Sequence, residues 1–156
     1  MLTGTLTASA YDFAVDGIYY NKNYNYNGIN AVDVTFASTN NGYPAGGDYS
    51  GDVVIPESVE YNGVTYTVIG IRHSTFYNCT ALTSIELPNT IRGIGTNYNL
   101  DFRGAFYGCV ALTSIVIPNS VDYIGYCAFY NYSFFLFLPF SGIISSMVFQ
   151  GSVEKA

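Results

Sequence analysis

From Tyr11 onward, apolar residues alternate with polar or small ones at a period of two, which predicts half-buried β-strands. Phe13 and Val15 lead to Asp16-Gly17, a pair suited to a two-residue hairpin turn, and Ile18-Tyr19-Tyr20 begins a return strand. Residues 21–30, NKNYNYNGIN, have no apolar period and read as an exposed loop. Val32, Val34 and Phe36 alternate with Asp33 and Thr35, predicting another half-buried strand, and residues 38–51 read as loop again. Further on, Val59-Glu60-Tyr61 and residues 64–68 flank Asn62-Gly63, whose residues favour the positive φ angles of a type I′ turn. No stretch before residue 52 has a helical period of useful length.

The second half of the chain repeats itself. Residues 76–95 read FYNCTALTSIELPNTIRGIG and residues 106–125 read FYGCVALTSIVIPNSVDYIG, with twelve of 20 positions identical. An earlier copy is disguised: Asp52-Val53-Val54-Ile55-Pro56 matches Ser84-Ile85-Glu86-Leu87-Pro88 and Ser114-Ile115-Val116-Ile117-Pro118, and Ile69-Gly70 is aligned with Ile94-Gly95 and Ile124-Gly125. The spacing from Phe106 to Phe129 defines an uninterrupted unit of 23 residues. On this alignment the hairpin at 59–68 and seven extra residues after Gly95 are insertions, the latter expected to bulge from one turn of a coil.

Within a unit, Ile85 and Leu87 (Ile115 and Ile117) point one way, while Ser84 and Glu86 (Ser114 and Val116) point the other. The inward set, joined by Phe76, Leu82, Ile91 and Ile94 and by Phe106, Leu112, Val121 and Ile124, forms one apolar face that no single unit can bury. Stacked units bury it, with Leu82 on Leu112 and Phe76 on Phe106 and then Phe129; each such side chain contributes about 1.5–3 kcal/mol. Pro88 and Pro118 end the strand by removing a donor. The fold predicted is a β-rich solenoid, right-handed or horseshoe-like, whose strands form one parallel sheet. An N-terminal β cap occupies 11–51, the solenoid 52–131, and an irregular apolar tail or degenerate last coil 132–156.

Composition narrows the partners. With 49% hydrophobic and 10% charged residues the chain is built to order, and a formal charge of -6 repels phosphate backbones and anionic lipid. Nucleic acid is therefore excluded as a partner class. Cys79, Cys109 and Cys127 form no C-x-x-C pair, and Cys79 and Cys109 share one repeat position, which reads as stacked buried thiols.

The run L-T-S-I-x-I-P-N-S-V-x-x-I-G-x-x-A-F at 112–129 resembles the BspA-like class of leucine-rich repeats of bacterial surface proteins. The segments YDFAVDGIYY at 11–20 and YSGDVVIPESVEYNGVTYTVIGI at 49–71 are similar to the N-terminal part of such proteins, so the resemblance spans about residues 11–131. It implies secretion or surface display in an anaerobic gut or oral type of bacterium, and adhesion or protein interaction. It carries over no catalytic residue, because the family has no catalytic motif to match.

Both ends depart from that pattern. Ala8-Ser9-Ala10 fits a signal-peptidase site, and residues 1–10 read as the remnant of a signal peptide with Met1 an internal methionine; a short disordered N-terminus is the competing account. Residues 132–149, YSFFLFLPFSGIISSMVF, fit a degenerate terminal turn that plugs the solenoid, an altered sequence, or a membrane segment; Pro139, Gly142 and the serines disfavour the last.

Little in the chain supports catalysis. His73 is the single histidine, without Cys or Asp at ligand spacing, so no metal site or catalytic triad is predicted, and no cofactor. The acids of the N-terminal half, Asp12, Asp16, Asp33, Asp48, Asp52, Glu57 and Glu60, read as turn and solubility residues. The expected activity is non-enzymatic binding or adhesion at the cell exterior, to a protein or glycan, through the outward strand residues Asp52, Val54, Ser84, Glu86, Ser114 and Val116. A carbohydrate-binding module using a ladder of Tyr77, Tyr107 and Tyr130 is the alternative, since tyrosine stacks on sugar rings or packs between coils. A fragment without independent function is the other.

Overall fold

Asp16-Gly17 and Asn62-Gly63 both take up positive φ (50° and 80°; 53° and 75°), so two tight hairpins form where their sequences predict them. The first joins β1 (Phe13–Val15) to β2 (Ile18–Asn23), the second β7 (Ser58–Tyr61) to β8 (Val64–Arg72). The computed structural model describes residues 9–23, 26–40, 43–96, 104–125, 128–129, 135–138 and 153–155.

Three expectations for the N-terminal region are corrected. Asn21, Lys22 and Asn23 belong to β2 rather than to a loop, because they pair antiparallel with β3 (Ala31–Thr35). Strand β3 is buried on both faces, not one, with all five residues covered, and it lies between β2 and β8 in the largest sheet. Its inner polar residue Asp33 is accommodated by the Asn23 amide, which donates to both carboxylate oxygens at 3.3 and 3.5 Å. The predicted loop at 38–51 contains a small hairpin, β4 (Thr39–Asn40) with β5 (Tyr43–Pro44), and Gly51 already belongs to β6 (Gly51–Val54).

The coils use two strands each, so parallel strand pairs run along two sides of the solenoid and not in the one parallel sheet expected. On one side, β6 runs parallel to β9 (Leu82–Glu86), and β11 (Ser114–Val116) lies beside β9 and pairs in parallel with β13 (Phe135–Leu138), which pairs with β14 (Val153–Lys155). On the other side, β8, β10 (Gly93–Thr96) and β12 (Tyr123–Ile124) form parallel pairs continuous with the cap through β3. Ile94 and Ile124 thus lie in short strands, because each such segment meets its copy one coil away.

Register corrects the alignment of the first unit. Ile94 pairs with Ile71 and Gly93 with Gly70, so Ile71, not Ile69, stands under Ile94 and Ile124. Arg72 then pairs with Thr96, the register shifting at Gly95, and Ile71 precedes Phe76 by the same five positions that separate Ile124 from Phe129. The link before Phe76 therefore carries no insertion. The expected bulge after Gly95 falls on 97–103, outside the described residues.

The core is the predicted inward set. Phe76, Phe106 and Phe129 stack face to face, with centroids 4.9 and 5.2 Å apart and planes within 10°. Leu82 and Leu112, Ile91 and Val121, and Ile94 and Ile124 are buried beside them. Main-chain bonds between coils support the stack: Phe76 N–H donates to Ala105, Asn78 N–H to Tyr107 and Phe106 N–H to Ala128, at 2.7–2.9 Å. Gly125 and Gly95 approach so closely that a Cβ on Gly125 would lie 2.6 Å from the Gly95 carbonyl oxygen.

Candidate functional site

The face of β6, β9 and β11 turned away from the core carries all six of the outward residues. Asp52, Val54, Ser84, Glu86, Ser114 and Val116 are exposed, while Ile85 and Ile115 between them are buried. Strand pairing places Asp52 opposite Ser84 and Val54 opposite Glu86, and Ser114 and Val116 follow on the next coil. Two rows result: a polar one of Asp52, Ser84 and Ser114, and a mixed one of Val54, Glu86 and Val116. Both valines of the second row are 59% exposed, which packing alone does not require.

The polar row is organised by hydrogen bonds. Thr83 Oγ1 and Ser84 Oγ donate to Asp52 Oδ1 at 2.8 and 2.6 Å, and these two hydroxyls, Ser84 first, hold the Asp52 carboxyl below its usual range. The carboxylate is therefore charged and oriented across the strand gap.

The tyrosine ladder is partly present. Tyr77 and Tyr107 stack with centroids 5.5 Å apart and planes 23° from parallel, while Tyr130 lies outside the described residues. Both rings are half-buried rather than exposed. Gly46 of the cap lies against Tyr77, where a Cβ would come within 2.9 Å of Cδ1, and Gly47 N–H donates to the Tyr77 carbonyl at 3.0 Å.

The thiols of Cys79 and Cys109 are buried, and Cys109 Sγ donates to the Phe76 carbonyl at 2.9 Å. The neighbouring Cys109 lowers the Cys79 thiol's pKa, against the opposing effect of burial. Cys127 lies outside the described residues. His73 sits in the turn after β8, with Nδ1 3.3 Å from Ser74 Oγ and its ring 6.4 Å from that of Phe36. Among the described residues no group of three or more His, Cys, Asp or Glu is placed to hold a metal ion, and no helix is long and apolar enough to cross a membrane. Several acids do local work: Asp12 accepts from Lys22 N–H at 2.7 Å, and Asp48 accepts from Ala37 N–H and Ser38 Oγ at 3.0 and 2.7 Å.

Sequence reasoning missed Tyr49. Its ring meets Phe76 at 4.8 Å and so extends the phenylalanine stack into the cap. Its hydroxyl donates to the Thr35 carbonyl at 2.5 Å and accepts from Tyr19 N–H at 3.2 Å, while burial pushes its pKa up.

A stack of parallel-stranded coils closed at one end by an antiparallel β cap defines a leucine-rich-repeat solenoid. The chain belongs to the family described as BspA type leucine rich repeat region, whose model matches residues 56–135 and 102–152. No curated protein sequence matches it. It is similar to a solved leucine-rich repeat protein from Bacteroides ovatus, at 26% identity over 86% of this chain and 37% of that one, with a TM-score of 0.54. The fold is also that of a leucine rich cell surface protein from Faecalibacterium prausnitzii, at 24% identity, 78% and 27% coverage and a TM-score of 0.55. The chain thus spans about a third of the length of these solved proteins.

Proposed function

We propose that this chain is a non-enzymatic binding scaffold at the cell exterior, and that its ligand-facing surface is the pair of outward rows on β6, β9 and β11. The observation that carries this reading is the separation of roles along each strand: Ile85 and Ile115 are buried, while Ser84, Glu86, Ser114 and Val116 beside them are exposed. Substitutions on the outward rows leave the core untouched, so a ligand surface can change there without loss of the fold. Display at the surface of a bacterium is supported by family membership and by the cell surface designation of the Faecalibacterium prausnitzii protein.

The ladder of Tyr77 and Tyr107 supports packing between coils more than sugar binding, because the two rings cover each other and Gly46 lies against Tyr77. A panel of extracellular-matrix proteins and a glycan array, probed with the purified chain, separates the two readings. Protein binding lost in Glu86→Lys or Ser84→Arg, with Tyr107→Ala neutral, supports the outward rows. A glycan signal lost in Tyr107→Ala, with Glu86→Lys neutral, overturns them in favour of a carbohydrate-binding ladder. A product that is neither monodisperse nor cooperatively melting would instead indicate a fragment without independent function.

A further inference from the structure

The side of β6 away from β9 is an open strand edge. Ile55 N–H donates to the Glu86 carbonyl across the β6–β9 gap. Main-chain groups alternate sides along a strand, so the N–H and C=O of Val54 and Asp52 face the opposite way. Among the described residues no strand pairs with β6 on that side. Two concavities open there, of about 300 and 430 Å³, and no residue of β9 lines either. They adjoin at Asp16, Ile18 and Val54, giving one groove between the β1–β2 turn and the edge of β6.

The groove has one sign of charge. Asp16, Asp48 and Asp52 line one concavity and Asp16 and Glu60 the other, with no lysine or arginine in either. Ile18, Val54 and Val59 supply apolar contacts between these acids. The chain's own charge of -6 argues against a second copy as occupant, since like charges across an interface oppose docking. We infer that the β6 edge takes an extended cationic peptide segment, which adds as a strand to the main chain of Asp52 and Val54 and sets its basic side chains against Asp16, Asp48 and Glu60. The site shares Asp52 and Val54 with the outward rows but uses the strand edge and the cap turn, so it does not depend on binding across Ser84, Glu86, Ser114 or Val116.

The test uses the full chain and a synthetic blocked heptapeptide alternating lysine and valine, with a glutamate–valine peptide as control. Titration followed by amide NMR should show binding of the lysine peptide, weakening as salt rises, with slowed hydrogen exchange at the Val54 amide. Val54→Pro removes the edge N–H without touching the β9 pairing and should weaken binding at least tenfold at an unchanged melting temperature. Asp16→Asn keeps a residue that tolerates positive φ and should weaken it severalfold. Equal binding of the glutamate peptide, full binding by Val54→Pro, or lysine-peptide binding without Val54 protection overturns the inference, as does an absence of binding. If Val54→Pro does not fold, the Val54 exchange measurement on the unaltered chain decides. Loss of outward-row binding in Glu86→Lys, with peptide binding retained, keeps this site distinct from the proposed scaffold surface.

Discussion

Asp33 on β3 and Gly70 on β8 face each other across the parallel pair that joins the cap to the coils, and a Cβ on Gly70 would collide with Oδ1 of Asp33. The glycine leaves room for a buried carboxyl group between the two strands. Gly70→Ala is expected to destabilise the fold by about 1–3 kcal/mol through overpacking. The double variant Asp33→Ala/Gly70→Ala should be less destabilised than the sum of the single ones, measured by urea unfolding. Strict additivity would show that the two residues do not share this space.

The same carboxyl group predicts a pH dependence. Burial raises the Asp33 pKa above its ordinary 3.8, against the smaller lowering effects of the Asn23 hydrogen bond and the Arg72 charge. A raised folded pKa contributes stability that is full below the unfolded value and is lost as pH rises through the folded one. The stability of the wild type relative to Asp33→Asn should therefore fall from pH 3 upward and level off above the folded pKa. A gap that widens with pH would mean that Asn23 and Arg72 outweigh desolvation.

Phe106 lies between Phe76 and Phe129, with both faces covered and no exposed surface. Phe106→Ala should cost about 3–5 kcal/mol. Phe106→Leu should cost less, since it keeps most of the volume and loses only the ring stacking. Equilibrium denaturation of the two variants checks the order, and equal costs would remove stacking from the account.

Cys79 and Cys109 are 1% and 0% exposed, so access rather than thiol acidity should control their reactivity. In a Cys127→Ser background, Ellman's reagent should label neither until denaturant unfolds the chain. Prompt labelling of one thiol under native conditions would show that the coil opens locally around it.

Much of the coil was legible because a solenoid repeats its own packing. Phe76, Phe106 and Phe129, the leucines at 82 and 112 and the outward residues on β6, β9 and β11 were placed by sequence period, since each position meets its own copy in the next coil. The cap was less legible because its contacts are made once. Asp33 is buried by a partner strand 37 residues away in sequence, and Tyr49 enters the phenylalanine stack without belonging to any repeat wording.

By itself the sequence determined the repeat unit, the inward and outward positions and the two glycine hairpin turns, because a period of two and a positive φ are local properties. Tertiary structure decided that Ile71 rather than Ile69 stacks under Ile94, that the segments at Ile71, Ile94 and Ile124 pair in parallel and continue into the cap sheet, and that β6 faces an acidic groove. Those features depend on which strands meet and in what register, and register is set by packing between distant segments rather than by the residues of any one of them.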